Sequence, residues 1–548
     1  MGRAYIYPED PALFISSSHH NTTFHDNTIG SVLRRINNKM GRTQVLVSAV
    51  LALATLSVAV PLPGSRIGSF RRGALAHNTS SSITWGPCSD QFPSSLTCAT
   101  YTVPLDWSNP CNETIELGLV RLAASDESAR IGNLFVNPGG PGGQASSLVG
   151  GLARSPDILD PQILAHFDII GLDPRGVGLS TPVQCDTAAF NKRVSFFPKT
   201  QAEYDELVAY NKALGESCYA KSGRLIDFVD TISAVKDHEA VRKALGDEKI
   251  NLLGLSYGTQ LFSQYAELFP DNIRTIVLDG NLQHSQSESS NLLIESATYE
   301  ATLKKFFEWC TNSTSEECTL SGSDVQAKYQ SVLDKAIAAP IPAPGCDNTS
   351  CRSDVTDEDL RFTIQGSLIS TSNWPALAVA LSQADAGNAT LISQNNALAV
   401  GDAYADSTLL AGTAIACQDW DHASTSLADV VAKGTLGANF SPLTRGACQS
   451  YKIQTSCIGW PAPLSNPPKK IVYKGETTIL QAQSTFDPST SYAWGLGLHA
   501  ELGDEKSVLL VRDGAGHTSY LRGGATTAAI NEYFLNLTLP EPGTVLDS

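Results

Sequence analysis

The sequence lacks the features that point to a nucleic-acid partner or to a zinc site. It has no long basic run, and 55 acidic against 38 basic residues leave a net charge of −17, which argues against nucleic acid. None of its 12 cysteines forms a Cys-x-x-Cys pair with another, so zinc is not expected. Its most glycine-rich segment carries neither the lysine nor the hydroxyl residue of a phosphate-binding loop. We therefore expect no metal and no cofactor.

Methionine is also scarce: Met1 and Met40 are the only two in 548 residues. After Met40 comes an apolar run at 45–60, followed by prolines, which is the layout of a secretory signal. We predict a non-native or disordered extension at 1–39 and a signal peptide with a possible pro-segment at 40–76. The alternatives are an uncleaved anchor formed by residues 43–65, and vacuolar delivery.

All cysteines follow this segment, and their even number fits an oxidising compartment. Cys310 with Cys318, and Cys346 with Cys351, are close enough for local bridges. Seven Asn-x-Ser/Thr sequons are candidate glycosylation sites and also fit a secretory route: Asn78, Asn112, Asn312, Asn348, Asn388, Asn439 and Asn536. We predict a secreted protein with one large domain that carries an insertion.

Buried apolar strands alternate with helical patterns, which is typical of a doubly wound, mostly parallel sheet. Strands are predicted at 98–106, 115–122, 133–136, 167–172, 251–255, 275–278, 477–483 and 507–511, and helices at 202–244, 257–268 and 526–535. Between them, residues 283–465 have the pattern of helices and loops and indicate an inserted, mainly helical cap. The predicted division is therefore a core at 77–282, the cap at 283–465, and a second part of the core at 466–548.

The segment Gly254-Leu-Ser256-Tyr-Gly258 ends an apolar strand and begins a helix. In that context a Gly-x-Ser-x-Gly turn is a nucleophile elbow, in which the serine occupies a strained corner and the glycines let neighbouring backbone approach. Taken alone, the pattern fits an ordinary Gly/Ser turn equally well. The strand before it and the helix after it favour a nucleophile.

A serine nucleophile needs a base, and the base needs a carboxylate to orient it. His517 lies in a small-residue loop after the last long predicted strand, and Asp487 follows the strand before, which gives the order Ser, Asp, His. His499 falls in a predicted helix and is the weaker candidate base. Asp279 and Asp513 are the competing acids, and Asp487 is favoured over both.

The tetrahedral intermediate of acyl transfer needs two N–H donors aimed at its oxygen. We expect one from the backbone of Tyr257, directly after the serine. The second is expected from Gly140 in the glycine-rich loop 137–143, which follows a predicted strand.

Taken together, these motifs resemble the proline iminopeptidase and tripeptidyl aminopeptidase branch of the α/β-hydrolases, which ends in a tripeptidyl-aminopeptidase-like (TAP-like) region. The resemblance rests on collinear segments at 97–106, 137–142, 173–178, 254–258, 486–490 and 514–517. It implies an α/β-hydrolase fold, with Ser256 as nucleophile, Asp487 as acid, His517 as base, and the loop 137–143 at the oxyanion hole.

The match departs from the iminopeptidases in one place, since Pro138 stands before Gly139 where those enzymes carry His-Gly-Gly-Pro-Gly. Exopeptidases of this type bind the free amine of their substrate with acidic groups in the cap. Glu295, Glu300 and Glu308 lie in that region, but they suit a solvated helix face equally well, and none is assigned.

The predicted function is that of a secreted serine hydrolase, an aminopeptidase that releases short peptides or single residues from free N-termini through an acyl-enzyme on Ser256. The alternative is an esterase, lactonase or amidase that uses the same triad on a small metabolite. A non-catalytic binding protein is disfavoured because every triad member is present. Peptides or small molecules are the expected partners, with no membrane partner unless residues 43–65 remain as an anchor.

Overall fold

The computed structural model describes residues 82–347, 350–394, 396–398 and 408–548. These residues belong to one compact unit. The predictions for 1–39 and 40–76, and the sequons at Asn78 and Asn348, lie outside the described residues.

Twelve strands are found in the described part of the chain. They are β1 (Gly86–Pro87), β2 (Leu96–Pro104), β3 (Thr114–Leu122), β4 (Gly132–Asn137), β5 (Phe167–Leu172), β6 (Ile250–Leu255), β7 (Ile273–Asp279), β8 (Ile341–Pro342), β9 (Asp354–Val355), β10 (Ile479–Phe486), β11 (Ser507–Ala515) and β12 (Val545–Leu546).

Sixteen α-helices accompany them over the same residues. They are α1 (Ala145–Arg154), α2 (Pro161–His166), α3 (Thr187–Asn191), α4 (Gln201–Ser222), α5 (Thr231–Leu245), α6 (Tyr257–Leu268), α7 (Glu288–Asn312), α8 (Val325–Ala338), α9 (Asp357–Leu368), α10 (Trp374–Asp385), α11 (Thr390–Ser393), α12 (Thr408–Asp419), α13 (Leu427–Phe440), α14 (Gln449–Ser456), α15 (Tyr492–Leu502) and α16 (Gly524–Asn536).

Ten strands form one sheet in the order β1-β2-β3-β5-β4-β6-β7-β10-β11-β12. The pairs from β5 through β12 are parallel, and β1, β2 and β3 join antiparallel at one side. One face packs on α5, α6 and α15, and the other on α1, α2 and α16. Alternate residues of β6 point to the two faces, so both faces bury apolar side chains. The predicted doubly wound, mostly parallel sheet is confirmed.

Helices α7–α14 lie between β7 and β10 in sequence, in the segment predicted to be a cap, and α12 packs in the cluster that covers one face of the sheet. Helix α7 packs against α8, α9, α13 and α14. The cap has an apolar cluster of its own, which includes Tyr299, Phe306 and Trp374, separate from the two clusters that cover the sheet. The division at 282/283 and 465/466 stays a prediction.

Several predicted bounds were wrong in detail. The single helical region at 202–244 is two helices, because a 3₁₀ turn at Gly223–Asp227 separates α4 from α5. The strand at 477–483 runs instead from 479 to 486, and the strand predicted to stop at 511 continues to 515. The cap also contains a two-stranded pair, β8 with β9.

Five disulfides join described cysteines: Cys88–Cys98, Cys185–Cys218, Cys310–Cys318, Cys346–Cys351 and Cys417–Cys457. The two bridges suggested by close spacing are among them. Four sequon asparagines are exposed, and Asn388 is half-buried; the exposed ones are Asn112, Asn312, Asn439 and Asn536. Within the described ranges, no helix is both long and apolar enough to cross a bilayer.

Candidate active site

The predicted site residues all follow carboxyl ends of neighbouring parallel strands. Ser256 follows β6, Asp487 follows β10, and His517 lies two residues beyond β11. The glycine-rich loop that holds Gly140 follows β4. Because parallel strands end at a common edge, these four segments meet at one side of the sheet, where open α/β sheets bind their ligands.

Ser256 occupies a strained corner between β6 and α6. Its φ of 58° and ψ of −127° lie in a region that residues with a Cβ rarely adopt. The backbone N–H of Ser256 donates to the carbonyl of Asp279, 2.9 Å away, and Thr259 returns a hydroxyl hydrogen bond of 2.6 Å to the Ser256 carbonyl. The predicted elbow geometry is therefore present.

Glycines are required around this corner because other backbone passes too close for a side chain. A Cβ on Gly254 would lie 2.3 Å from the carbonyl oxygen of Gly258, and one on Gly258 would lie 2.8 Å from that of Asn137. A Cβ on Gly139 would lie 2.5 Å from the Leu255 carbonyl oxygen. The elbow and the glycine-rich loop are thus pressed against each other.

His517 is held by the carboxylate of Asp487. Its Nδ1 lies 2.8 Å from Oδ2 and 3.0 Å from Oδ1 of Asp487. The carboxylate also accepts from the backbone N–H groups of Ser489 and Thr490, at 2.9 and 2.8 Å, and from the Thr490 hydroxyl at 2.8 Å. With an acceptor at Nδ1, the proton of the neutral ring sits on Nδ1 and Nε2 is left as a base.

The electrostatics of this pair suit the role. Burial alone would raise the pKa of Asp487, but the charge of His517 and the hydrogen bonds to the carboxylate lower it below its ordinary value. Burial alone would lower the pKa of His517, but the adjacent Asp487 raises it above its ordinary 6.5. Asp487 therefore stays ionised and stabilises the imidazolium that forms when His517 accepts a proton.

The competing acids have other partners. The Asp279 carboxylate accepts from the backbone N–H of Ser519, at 2.7 Å, and of Tyr520, also at 2.7 Å. Asp513 is exposed and accepts from a threonine hydroxyl. The competing base, His499, contacts the hydroxyl of Ser507 on β11 and not the carboxylate of Asp487 or Asp279. None of the three replaces Asp487 or His517.

Asp279 nevertheless positions the site, a role that its sequence context did not reveal. Its carbonyl accepts from Ser256, while its carboxylate holds the backbone that follows His517. A Cβ on the next residue, Gly280, would lie 3.3 Å from Cε1 of His517, so the imidazole packs directly on this turn. The loops that carry the nucleophile and the base are joined through Asp279.

The predicted oxyanion donors flank the same space. Tyr257 begins α6 directly after Ser256, and a Cβ on Gly139 would lie 2.8 Å from the Tyr257 nitrogen. Gly140 and Ser256 line one pocket together. The roles of Tyr257 and Gly140, like those of the triad, stay predictions that this geometry supports.

Three acidic side chains from the segment between β7 and β10 line the pocket that contains Ser256: Glu288, Glu295 and Asp421. Lys433 pairs with Oε2 of Glu288 at 2.6 Å, and the buried Oε1 of Glu288 has no hydrogen-bond partner among the described residues. Burial raises the pKa of Glu295 to about 7. In the described structure, no hydrogen bond or ion pair reaches the Asp421 carboxylate.

Of the three acids considered from sequence, only Glu295 lies in this pocket. Glu300 pairs with Lys304, and Glu308 pairs with Lys305 on the outside of α7. Glu288 and Asp421 were missed, because their sequence surroundings carry no motif. Thr490 was also missed as a contributor, although it sits in the Asp-Pro-Ser-Thr segment that identified Asp487.

Comparison with known proteins agrees with this geometry. Residues 132–327 match the alpha/beta hydrolase fold family, and residues 441–546 match the family described as TAP-like protein. The chain is 28% identical over 488 residues to the serine protease Hip1 of Mycobacterium tuberculosis, covering 84% of this chain and 90% of that protein. It is 27% identical over 521 residues to a tripeptidyl aminopeptidase of Streptomyces lividans, covering 89% and 92%.

A third relative has a name that denotes a different activity. The carboxylesterase B of Mycobacterium tuberculosis is 28% identical over 524 residues, covering 91% of this chain and 98% of that protein. The predicted resemblance to the tripeptidyl aminopeptidase branch is confirmed, and so is the prediction of a serine hydrolase.

Proposed function

We propose, from the premise that this chain is an α/β-hydrolase with a TAP-like C-terminal region, that it is a serine aminopeptidase acting on peptides with a free N-terminus. The observation that carries the proposal is the set of acidic side chains in the pocket of Ser256. Carboxylates in the pocket of the nucleophile suit a substrate that brings a positive charge to it, as a free N-terminus does.

The charge balance of the pocket favours a cationic group. Glu288 and Asp421 face it, and Lys433 is the one cation paired with either of them in the described structure. Glu295 also faces it, but its carboxyl accepts from Gln365, Gln449 and Ser450, and its pKa of about 7 leaves it partly neutral. An α-ammonium group would supply the missing charge and donate to the free Oε1 of Glu288 and to Asp421. Leaving the buried Oε1 of Glu288 unpaired is costly, so an N-acetylated or blocked peptide should bind poorly.

Apolar side chains line the same pocket. Trp420, Trp494, Leu282 and Ile453 line it together with the acids. The acids come from the cap side of the chain and Ser256 from the sheet edge, so a peptide would extend from one to the other. We propose that short peptides or single residues are released. The length of the released product is determined by the distance between the site that binds the amine and Ser256.

The chemistry follows from the geometry of the edge. Ser256 Oγ attacks the scissile carbonyl carbon while its proton passes to Nε2 of His517. The carbonyl oxygen becomes an oxyanion that the N–H groups of Tyr257 and Gly140 stabilise. His517 then protonates the departing amine, and water, deprotonated by the same nitrogen, hydrolyses the acyl-enzyme and restores Ser256.

The test compares four substrates on the purified enzyme: a fluorogenic tripeptide amide, its N-acetylated form, a proline amide and a short acyl ester. We expect turnover of the free-amine peptide, little of the acetylated one, and none by Ser256→Ala. Turnover of the acetylated peptide at the same kcat/KM would contradict the proposal.

The acids are tested separately. Asp421→Asn and Glu288→Gln should raise KM for the free-amine peptide about tenfold or more and leave ester turnover unchanged. Glu308→Gln is the matched control, because Glu308 lies on the same helix as Glu288 but pairs with Lys305 outside the pocket. Equal effects on amide and ester would mean that these acids act on structure and not on the amine.

An esterase acting on a small metabolite is the second candidate. The similarity to a protein named carboxylesterase B, over nearly the whole of both chains, favours it. The same four substrates separate the two, since an enzyme of this kind would hydrolyse the ester alone.

We also propose that the enzyme is secreted and glycosylated. Five disulfides and four exposed sequons support this. Expression from Met40 in a eukaryotic host, followed by N-terminal sequencing of protein in the medium, tests it. Retention of the protein in the membrane fraction would favour the anchor.

A further inference from the structure

A chain of buried polar side chains lies behind the elbow, outside the triad. The Tyr257 hydroxyl lies 2.5 Å from Oγ1 of Thr231, which in turn lies 2.5 Å from Oδ2 of Asp419. All three residues are buried, with Tyr257 only 3% exposed and the other two fully enclosed. No step of the proposed reaction uses these side chains, so their arrangement needs its own explanation.

Burial raises the pKa of Asp419 to about 7, so above that pH the group is a carboxylate that can only accept, and this fixes the direction of donation among the three side chains. Oδ1 of Asp419 accepts from the Thr231 backbone N–H at 3.1 Å and from Nδ2 of Asn466 at 2.9 Å. Oδ2 accepts the Thr231 hydroxyl, which leaves Thr231 Oγ1 as the acceptor for Tyr257. Burial and the nearby Asp419 raise the pKa of Tyr257 well above its ordinary value, so the phenol keeps its proton and donates.

The hydrogen-bonded side chains of Tyr257, Thr231 and Asp419 join the two sides of the active site. Tyr257 begins α6, and its backbone N–H is the expected oxyanion donor. Asp419 ends α12, and the next two residues, Trp420 and Asp421, line the substrate pocket. The Trp420 ring also lies 6.1 Å from the Tyr257 ring. One hydroxyl thus links the nucleophile's neighbour to the wall of the pocket.

All three side chains of this link are enclosed by protein. Removing a partner from an enclosed chain leaves a buried polar group unsatisfied, and the others shift to compensate. A shift at the Tyr257 side chain moves the backbone of the first turn of α6. An oxyanion donor works only when it is held in position before charge develops, so a small displacement lowers the rate of the chemical step.

We propose that Thr231 and Asp419 act through the Tyr257 hydroxyl as positioning residues, holding the Tyr257 backbone N–H where the oxyanion forms. The inference rests on the proposed role of Ser256 as nucleophile. It extends that role, since it assigns the Tyr257 side chain a part in catalysis distinct from that of its main chain.

The test is Tyr257→Phe, matched with Tyr265→Phe. Tyr265 lies on the same helix, is fully buried, and donates its hydroxyl to Glu239 at 2.9 Å, away from the site. Each variant loses one buried hydroxyl. That of Tyr257 bonds to Thr231 and, at a longer 3.4 Å, to Oδ2 of Asp419, whereas that of Tyr265 bonds to Glu239 alone. For each, kcat and KM are measured, together with inhibition constants for a peptidyl boronic acid, which becomes a tetrahedral anion on serine, and for the product peptide.

Tyr257→Phe should lower kcat about tenfold, with KM and product affinity unchanged. Affinity for the boronic acid should fall by the same factor, because it depends on the same donor. Tyr265→Phe should lower Tm to a similar degree and leave all four constants unchanged. An unchanged kcat in Tyr257→Phe, or equal weakening of boronic acid and product, would overturn the proposal.

A second comparison uses Asp419→Asn, which keeps the shape of the side chain and removes the charge that orients the donors. It is combined with Tyr257→Phe in a double variant. If Asp419 acts through Tyr257, this double variant should lose no more activity than the more severe of the two single variants. Additive losses would show that the two residues act independently, against the proposal.

The outcome is separable from the choice of substrate. If the wild-type enzyme hydrolyses only the ester, the aminopeptidase proposal fails, and the same variants are then compared with the ester and an alkyl boronic acid. The positioning role is supported or overturned by the parallel between kcat and boronic acid affinity in either case.

Discussion

Replacing Asp487 with asparagine should reverse the tautomer of His517, because the surroundings of Asp487 decide which way the new amide points. Oδ1 accepts from two backbone N–H groups, those of Ser489 and Thr490, at 2.9 and 2.8 Å. Oδ2 accepts from one, that of Thr518 at a longer 3.3 Å, and from the Thr490 hydroxyl, which can turn to accept, so the amide oxygen is favoured at Oδ1. The amide NH₂ then takes the place of Oδ2, beside Nδ1 of His517. A donor at that position requires Nδ1 to accept, which moves the ring proton to Nε2 and removes the base.

The expected loss in kcat/KM is about 10⁴-fold, the size found when an asparagine replaces the aspartate of a serine–histidine–aspartate triad. At about 1.4 kcal/mol per tenfold, this corresponds to roughly 5 kcal/mol of transition-state stabilisation. The pH profile should change as well. Since Asp487 raises the pKa of His517 above 6.5, wild-type kcat/KM should rise with pH through a value above 6.5, and the variant should show this limb at lower pH.

The assay is hydrolysis of the fluorogenic peptide amide across the pH range, with active enzyme counted by a fluorophosphonate label. Asp279→Asn and Asp513→Asn are the controls. Asp513 is exposed, so Asp513→Asn should leave kcat/KM unchanged. Asp279→Asn should lower kcat/KM about tenfold or less, because the new amide oxygen can still accept from the backbone that follows His517. A loss for Asp279→Asn equal to that for Asp487→Asn would refute the assignment of the acid.

Four further predictions concern stability and processing. Gly139→Ala should lower the free energy of unfolding by about 2–4 kcal/mol in urea titration, since its φ is +89° and a Cβ would overlap the elbow strand. Gly151→Ala, where a Cβ meets nothing within 4 Å, should instead raise the free energy of unfolding by up to about 1 kcal/mol. Arg175→Leu should lower the free energy of unfolding by about 3–5 kcal/mol in the same titration, because it leaves the buried carboxylate of Asp237 without its ion-pair partner. Glycopeptide mass spectrometry should find Asn388 less occupied than the exposed sequons, since its Oδ1 already holds the threonine of its own sequon at 2.7 Å.

Much of the fold could be predicted because the strands of a covered parallel sheet are continuous apolar runs. The bounds that failed did so where pairing and not hydropathy sets the end of a strand. β11 continues to Ala515 through Arg512 and Asp513, two charged residues that suggested a loop. Arg512 is buried there, and its guanidinium donates to carbonyls of the loop that carries His517.

The candidate triad could be predicted because each member follows a strand in a recognisable motif. The acids of the pocket could not, since Glu288 and Asp421 are 133 positions apart and meet Ser256 only through the packing of the cap. The same holds for Thr231 and Asp419, which come from separate helices. Residues whose role depends on long-range packing leave no local pattern in one sequence.

The placement of the acids on the inserted segment, and of Ser256, Asp487 and His517 on strand ends, has a consequence for how such a protein can diverge. With the roles proposed above, bond-breaking and substrate choice are encoded in different stretches of the gene. Insertions, deletions and substitutions between β7 and β10 can alter the pocket while the register of the sheet stays the same. Relatives that share this sheet can therefore acquire different substrates by exchange of this single stretch. A chimera that carries the cap of a relative should keep the reaction type and change its substrate specificity.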